Sequence, residues 1–507
     1  MTVPTSRHRR RRLRWAAVLT AAGIALAGCG SGAADTAAAD GPPTATVPLS
    51  APLAVINPIL DTAAGGPVYS SMFQSLVFNQ DPEGPVPALA ESWETSEDGL
   101  TWTFHLDPDA KWHDGTQVTA EDVVFTLTQE QQPSNPHAGT LGILDRAEAA
   151  DPATVLLHLN RPNSALVAII GAKYILPKAY YEQVGPSGFS AAPIGSGPFK
   201  FVEAVAGGGV ELTRVENWHG PEQPLAGITF TPVPSAQAQV AGLQSGDLNV
   251  VPELPTSQAE RVAGLPGVRV EEIGGAPVSF IAFDLRSGPG TDQNFREAVN
   301  LAVDKEALAA TVMQGHAVPA AGLITPPVVG YDSTRTPTGY DPERARALLA
   351  ESGYDGSPIP FTYPTSVLVN ADEMANAVAS YLSEIGITVQ PTPIDYSTFL
   401  QQWAGQQLTG MYMMQYKNGT DADTIVSSLY ARGTRALFDD PQVFDTVDRS
   451  RETTGDERLA VLAELERQVI DENRYYAPLL VPNAMYGVAE GIPLVPNPFN
   501  PIFVTWK

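Results

Sequence analysis

Residues 87–127 read PALAESWETSEDGLTWTFHLDPDAKWHDGTQVTAEDVVFTL. Within them, Thr101–Leu106 alternates Thr, Thr and His with Trp, Phe and Leu, the period-2 pattern of a half-buried strand. Asp114-Gly115 supplies the backbone freedom for a turn. Thr119 then stands three residues before Asp122, a capping box with the shorter acid, ahead of an amphipathic run through Val124 and Leu127. Residue chemistry alone therefore predicts strand, turn and capped helix.

The order of the residues says more. The pieces LAESWE, SEDGLTWTFHL, KWHDG and TAEDVVF together resemble the signature region of the extracytoplasmic solute-binding proteins of family 5, the dipeptide, oligopeptide and nickel binders of ABC importers. Within the motif, Trp93, Trp102, Trp112 and His113 read as packing and turn residues, which identify the family without marking its site. The resemblance implies an α/β fold of two lobes, periplasmic-binding-protein-like (type II, cluster C), with an extra domain inserted in the first lobe.

Working outward, the chain opens with Arg7, Arg9 to Arg12 and Arg14, followed by an apolar run from Trp15 to Gly28. That run is shorter than the roughly 20 residues that span a bilayer, so it reads as a signal peptide. Leu26-Ala27-Gly28-Cys29 resembles a lipoprotein processing site, at which Cys29 becomes the lipidated N-terminus; it is also the only cysteine, which excludes a disulfide within the chain. Residues 30–48, rich in Gly, Ala, Thr, Asp and Pro, read as a solvated tether. Beyond residue 28 there remain 24 basic against 56 acidic residues, a formal charge of −32. Nucleic acid is thereby an unfavourable partner.

Roughly 460 residues follow, more than one core normally serves. The expected division is 1–28 signal peptide, 29–48 lipidated N-terminus and flexible linker, 49–273 first lobe with an inserted subdomain at about 70–188, 274–474 second lobe, and 475–507 a C-terminal return to the first lobe. The segment 194–201, IGSGPFKF, and the ending LQSGDLNVV at 243–251 again resemble the family. A phosphate-cradle reading of 194–201 fails because no Gly-Lys-Ser/Thr follows at the required spacing. Val268–Ile273 and Pro277–Phe283 read as strands joined by Gly274-Gly275-Ala276, for which a hinge between lobes and a hairpin turn both fit. Residues 371–385 carry an apolar stripe, and 456–473 form a final helix with Leu459, Leu462, Leu465 and Val469 on one face.

Candidate ligand contacts come from the resemblance. The segment KNGTDADTIVSSLY, 417–430, resembles the family stretch in which a strand and loop lie along a bound peptide and an aspartate meets its α-ammonium group. Asn418 takes the aspartate's place. A neutral amide replaces a charge-assisted partner, so free N-termini should be held less tightly and Asn418→Asp should strengthen them, unless Asp421 substitutes by a register shift. Tyr396 takes the place of a cleft-wall aromatic. Gln415, Tyr416 and Lys417 read either as ligand neighbours or as packing and solvent-facing residues, and His137, in the polar loop 129–139, as a contact or a surface histidine.

The function expected is capture of short peptides without catalysis and delivery to an ABC permease and its ATPase subunits, by a monomer anchored through Cys29 to the outer face of the cell membrane. A non-peptide solute such as a sugar, metal chelate or haem stays open, because fold does not fix ligand. A secreted hydrolase is the rival class. Neither Gly-x-Ser-x-Gly nor His-Glu-x-x-His occurs, and no two His stand at i, i+4. No catalytic residue, metal ligand set or cofactor is therefore expected.

Overall fold

The computed structural model describes residues 41–499 apart from 62–64, 82–83, 366, 434–437 and 495–496. The expected signal segment, Cys29 and the last residues of the tail lie outside the described residues.

The signature region builds a small domain. Thr101–Leu106 buries Trp102, Phe104 and Leu106 inside a four-stranded antiparallel sheet ordered Ala90–Thr95, Thr101–Leu106, Thr154–Leu159, Leu144–Asp151. Helix Ala120–Glu130 covers it, with the Thr119 N–H donating to Asp122 Oδ2 at 2.9 Å as the capping box requires. This domain has its own core, drawn from residues between Leu76 and Ile175.

The domain is joined to the first lobe through His113. Its backbone N–H donates to the Gly195 carbonyl at 2.8 Å, its Nδ1 accepts the Gly195 N–H at 3.2 Å, and its Nε2–H donates to the Gly197 carbonyl at 2.9 Å. KWHDG and IGSGPFKF thus form one joint. Glycine is required there, since a Cβ on Gly195 would stand 1.9 Å from the Met72 carbonyl oxygen. Burial pushes the His113 pKa down to about 4, and its accepting Nδ1 leaves no room for a second ring proton. The unfolded chain, titrating near 6.5, therefore binds more protons between those values. Stability from this joint is complete above pH 6.5 and drains away as pH falls toward 4, by about 2 kcal/mol after allowance for the ring's partial exposure. Urea midpoints measured between pH 7 and 4 should fall less steeply for His113→Gln than for the parent; parallel slopes would remove this assignment.

The first lobe's sheet runs Thr44–Leu49, Gly227–Pro232, Gly209–Arg214, Phe199–Val205, its first pair parallel. All of Thr44–Leu49 but its last residue lies within the stretch expected to be tether, and that expectation is corrected from residue 44 onward. Ala45, Val47 and Leu49 alternate inward and are at most 2 % exposed. Small side chains hid the alternation.

The second lobe is a six-stranded sheet ordered Ala317–Pro319, Tyr476–Pro482, Pro277–Phe283, Met411–Lys417, Ile359–Pro364, Val389–Ile394. Phe280 and Met414 face one core, Ile281 and Met413 the other, so both faces are covered. The chain passes between lobes twice, side by side. Val268–Ile273 pairs with Ala484–Ala489 in a three-stranded sheet, while Pro277–Phe283 pairs with Tyr476–Pro482 in the six-stranded one. Gly274-Gly275-Ala276 is therefore a crossing between sheets, not a hairpin turn. The strands approach so closely there that a Cβ on Gly275 would meet the Pro482 carbonyl oxygen at 1.9 Å. The tail returns to the first lobe only after Pro482, its first strand still belonging to the second.

The final helix, Gly455–Glu466 with a wider turn over Arg467–Glu472, buries Leu462, Leu465 and Val469 but leaves Leu459 exposed. At 100° per residue Leu459 falls on the margin of the stripe, whereas Arg458 falls inside it and is buried.

Candidate functional site: a two-chambered cleft

Between the lobes lie two cavities of about 1160 Å³ and 800 Å³ that share Lys417 and Phe499 in their walls. The larger is polar and charged, with Arg161, Asp421, Asp423, Arg432, Asp448 and Arg451 among its lining. The smaller is mostly apolar, lined by Leu254, Leu368, Tyr396, Leu400, Met414 and Met485 among others. Direct contacts close the cleft at its rims. The Ser164 N–H of the inserted domain donates to the Arg451 carbonyl at 2.8 Å, Asn370 Nδ2 donates to Thr256 Oγ1 at 3.3 Å, and Lys417 Nζ lies 3.5 Å from Glu253.

Strand Met411–Lys417 runs along this cleft. On one side it pairs throughout with Pro277–Phe283; on the other, Ile359–Pro364 pairs with it only at Met411 and Tyr412. Beyond Tyr412 no strand occupies that edge among the described residues, and Met414, Gln415, Tyr416 and Lys417 line the apolar chamber. Tyr416 donates its O–H to Ser428 Oγ at 2.5 Å, and Gln415 Oε1 accepts the Val369 N–H at 3.4 Å. Tyr396 opens helix Tyr396–Ala404, oriented by Asp395, whose Oδ1 accepts the Thr398 N–H at 2.9 Å.

Asn418 lies in the wall of the polar chamber and is 2 % exposed. Its Nδ2 donates to the carbonyls of Leu323 at 2.9 Å and Ala276 at 3.2 Å, and to Thr325 Oγ1 at 3.3 Å. Two carbonyls facing one atom fix the amide with nitrogen inward, and the buried Oδ1 has no hydrogen-bond partner among the described residues. Asp421 is held bidentately by Arg458, at 2.6 and 2.8 Å. Burial works against the Arg458 charge, but the Asp421 hydrogen bonds outweigh it and raise the guanidinium pKa. Asp423 pairs with Arg451 at 2.9 Å and accepts the Ser427 hydroxyl at 2.6 Å. Asp421, the alternative partner for a ligand ammonium, is thus already neutralised within the second lobe, and so is its neighbour Asp423. His137 lies outside both linings; its Nε2–H donates to the Asp61 carbonyl at 2.9 Å, and its neighbours Gly139 and Thr140 reach the wall instead.

Sequence reasoning missed Arg161, Lys173, Arg432, Asp448 and Phe499. Arg458 carried a readable signal, being a charge in phase with the final helix's apolar stripe; the other five stand in loops or on helix faces that no periodicity marks. Lys173 sits 2.7 Å from Glu130, both buried. Among the described residues, no three His, Cys, Asp or Glu side chains are grouped to hold a metal, and no helix is long and apolar enough to cross a membrane.

The family model of bacterial extracellular solute-binding proteins, family 5 Middle, matches residues 84–436. The heme-binding protein A of Haemophilus influenzae is 29% identical over 417 residues, covering 76% of each chain. The glutathione-binding protein GsiB of Escherichia coli is 28% identical over 437 residues, covering 82% of this chain and 84% of its own. Among solved structures, NikA from Brucella suis in complex with Fe(III)-EDTA superposes with a TM-score of 0.80 at 22% identity, over 91% of this chain and 99% of that one.

Proposed function

Because the chain belongs to the family 5 bacterial extracellular solute-binding proteins, which work with ABC permeases, we propose that its cleft captures short peptides and hands them to such a permease. The observation that carries this is the edge of Met411–Lys417 beyond Tyr412, which runs along the cleft and with which no strand pairs among the described residues. A peptide added as a strand would satisfy that edge with main-chain hydrogen bonds, while the large wet chambers accept varied side chains. Ligand favours the closed form only through contacts that the open form lacks, and the two adjacent crossings at Gly274-Gly275-Ala276 and Asn483 give the lobes their axis. Cys29, following Leu26-Ala27-Gly28, would anchor the protein at the outer face of the membrane.

Capture of a non-peptide solute on the same fold is the second reading, favoured by Asn418, which offers a ligand amine no carboxylate. Thermal unfolding of the protein from residue 29 onward, with di- to hexapeptides, separates the two. A peptide at a hundredfold excess over its Kd should stabilise the native state by about 2.7 kcal/mol, and N-methylation along its backbone should abolish the shift. A library of free peptides that leaves the melting temperature unchanged would remove the peptide reading.

A further inference from the structure

We infer that His316 and Glu272 form a pH-sensitive bolt across the interlobe crossing, which favours the closed cleft when His316 gains a proton. The inference rests on reading the two lobes as a pair that closes over a solute. Glu272 lies in strand Val268–Ile273 of the three-stranded sheet, two residues ahead of Gly274. His316 stands at the head of Ala317–Pro319, the edge strand of the second lobe's six-stranded sheet. Their side chains meet over the crossing. The His316 Nδ1–H donates to Glu272 Oε1 at 3.0 Å, and Asn483 Nδ2, from the second crossing, donates to the same oxygen at 2.6 Å. The Asn483 backbone N–H donates in turn to the His316 carbonyl at 3.0 Å. One carboxylate oxygen of the first crossing strand thus gathers a side chain from the second lobe and another from the returning chain.

The histidine is aimed there by its own turn. Helix Lys305–Thr311 is followed by Gln314 at φ 54° and Gly315 at φ 86°, both left-handed, and the His316 N–H donates to the Met313 carbonyl at 2.8 Å. Glutamine rarely adopts that conformation. The imidazole and the carboxylate are 23 % and 33 % exposed, partly shielded yet open to protons from solvent. Burial works against the Glu272 charge, but the hydrogen bonds from Asn483 and His316 outweigh it and hold the carboxyl below its usual range. Glu272 is therefore charged throughout pH 5 to 8, the window in which histidines change charge. A neutral imidazole gives it an ordinary hydrogen bond; an imidazolium gives a charge-assisted one, about twice as strong. Neighbouring charges do not compete. Arg269 and Glu271 of the same strand pair with each other at 2.7 Å, Lys305 is buried against the carbonyls of Asn300 and Thr338, and Glu306 is exposed. Strands Tyr476–Pro482 and Ala484–Ala489 contain no Asp, Glu, Lys, Arg or His. Turning one lobe about the crossings carries His316 away from Glu272, so the added attraction belongs to the arrangement whose rims touch. It is gained as pH falls through the histidine window and lost as pH rises through it.

Distances between spin labels across the rim test the inference with no solute present, so the outcome is independent of peptide capture. Labels at Ser257→Cys and Asn376→Cys, both exposed positions, in the chain from residue 29 with Cys29→Ser, report the gap between helices Thr256–Ala263 and Ala371–Glu384, which meet at Thr256 and Asn370. Lowering the pH from about 8 to about 5.5 should raise the ratio of short to long distances about two- to fivefold, the worth of a half-exposed ion pair. Glu272→Gln and His316→Gln should each keep the ratio at its high-pH value, and His316→Arg, charged at every pH, should show the low-pH value at pH 8. A parent ratio that ignores pH overturns the inference, as does a pH response that survives in both glutamine variants.

Discussion

Replacing Arg458 with methionine is expected to destabilise the protein by about 3–5 kcal/mol, the usual consequence of leaving one partner of a buried ion pair alone. Arg458 and Asp421 are each under a tenth exposed, and the guanidinium satisfies both carboxylate oxygens as well as the Ser450 carbonyl at 3.1 Å. Methionine fills comparable space but returns none of those hydrogen bonds. Asp421 also accepts the Asp423 N–H at 2.8 Å, and the neighbouring Ala422 N–H donates to the Val329 carbonyl at 2.9 Å, so the loop that forms the chamber wall depends on this carboxylate. Urea unfolding should show the full loss in Arg458→Met and recovery of much of it in the double variant Arg458→Met/Asp421→Asn, where no charge is stranded. A loss below about 1 kcal/mol in the single variant would mean that solvent reaches Asp421 and that the pair is a surface one.

What was legible in the sequence follows from where the information sits. Strands Thr101–Leu106, Val268–Ile273 and Pro277–Phe283 carry their alternation or their glycine punctuation within a few residues, so local reading places them. Thr44–Leu49 has the same alternation written in Ala, Thr and Val beside a tether of similar composition, and its strand character comes from the partner Gly227–Pro232 some 180 residues away. Resemblance brought Asn418 and Asp421 to the cleft wall, but not their hydrogen bonds. Those depend on Leu323, Thr325 and Arg458, supplied by a distant loop and the final helix. Arg161 and Arg432 were illegible for a related reason. A single charge in a loop looks like solvation until the fold shows which cavity it lines.

Asn418→Asp tests how tightly the wall is fitted around one amide. From resemblance alone it should only improve the binding of free-amine peptides; the hydrogen bonds of Asn418 add a larger and opposite effect. A carboxylate in this position would turn oxygen toward the carbonyls of Ala276 and Leu323, where nitrogen now donates to both. Losing those two bonds and burying an unpaired charge should cost about 3 kcal/mol or more at pH 7. Protonation restores one donor, so the folded-state pKa of the introduced carboxyl lies above the unfolded value near 3.9. A group raised in this way stabilises the fold below its unfolded pKa and loses that contribution as pH rises through the folded one. The deficit against the parent should therefore shrink as pH is lowered toward about 4. At neutral pH a free-amine peptide such as tetra-alanine should stabilise the variant more than it stabilises the parent, because the ammonium supplies the missing counter-charge. Equal unfolding midpoints for variant and parent at pH 7 would show that the amide's inward bonds are not fixed, and the account of Asn418 as a neutral amide held in the chamber wall would fall with them.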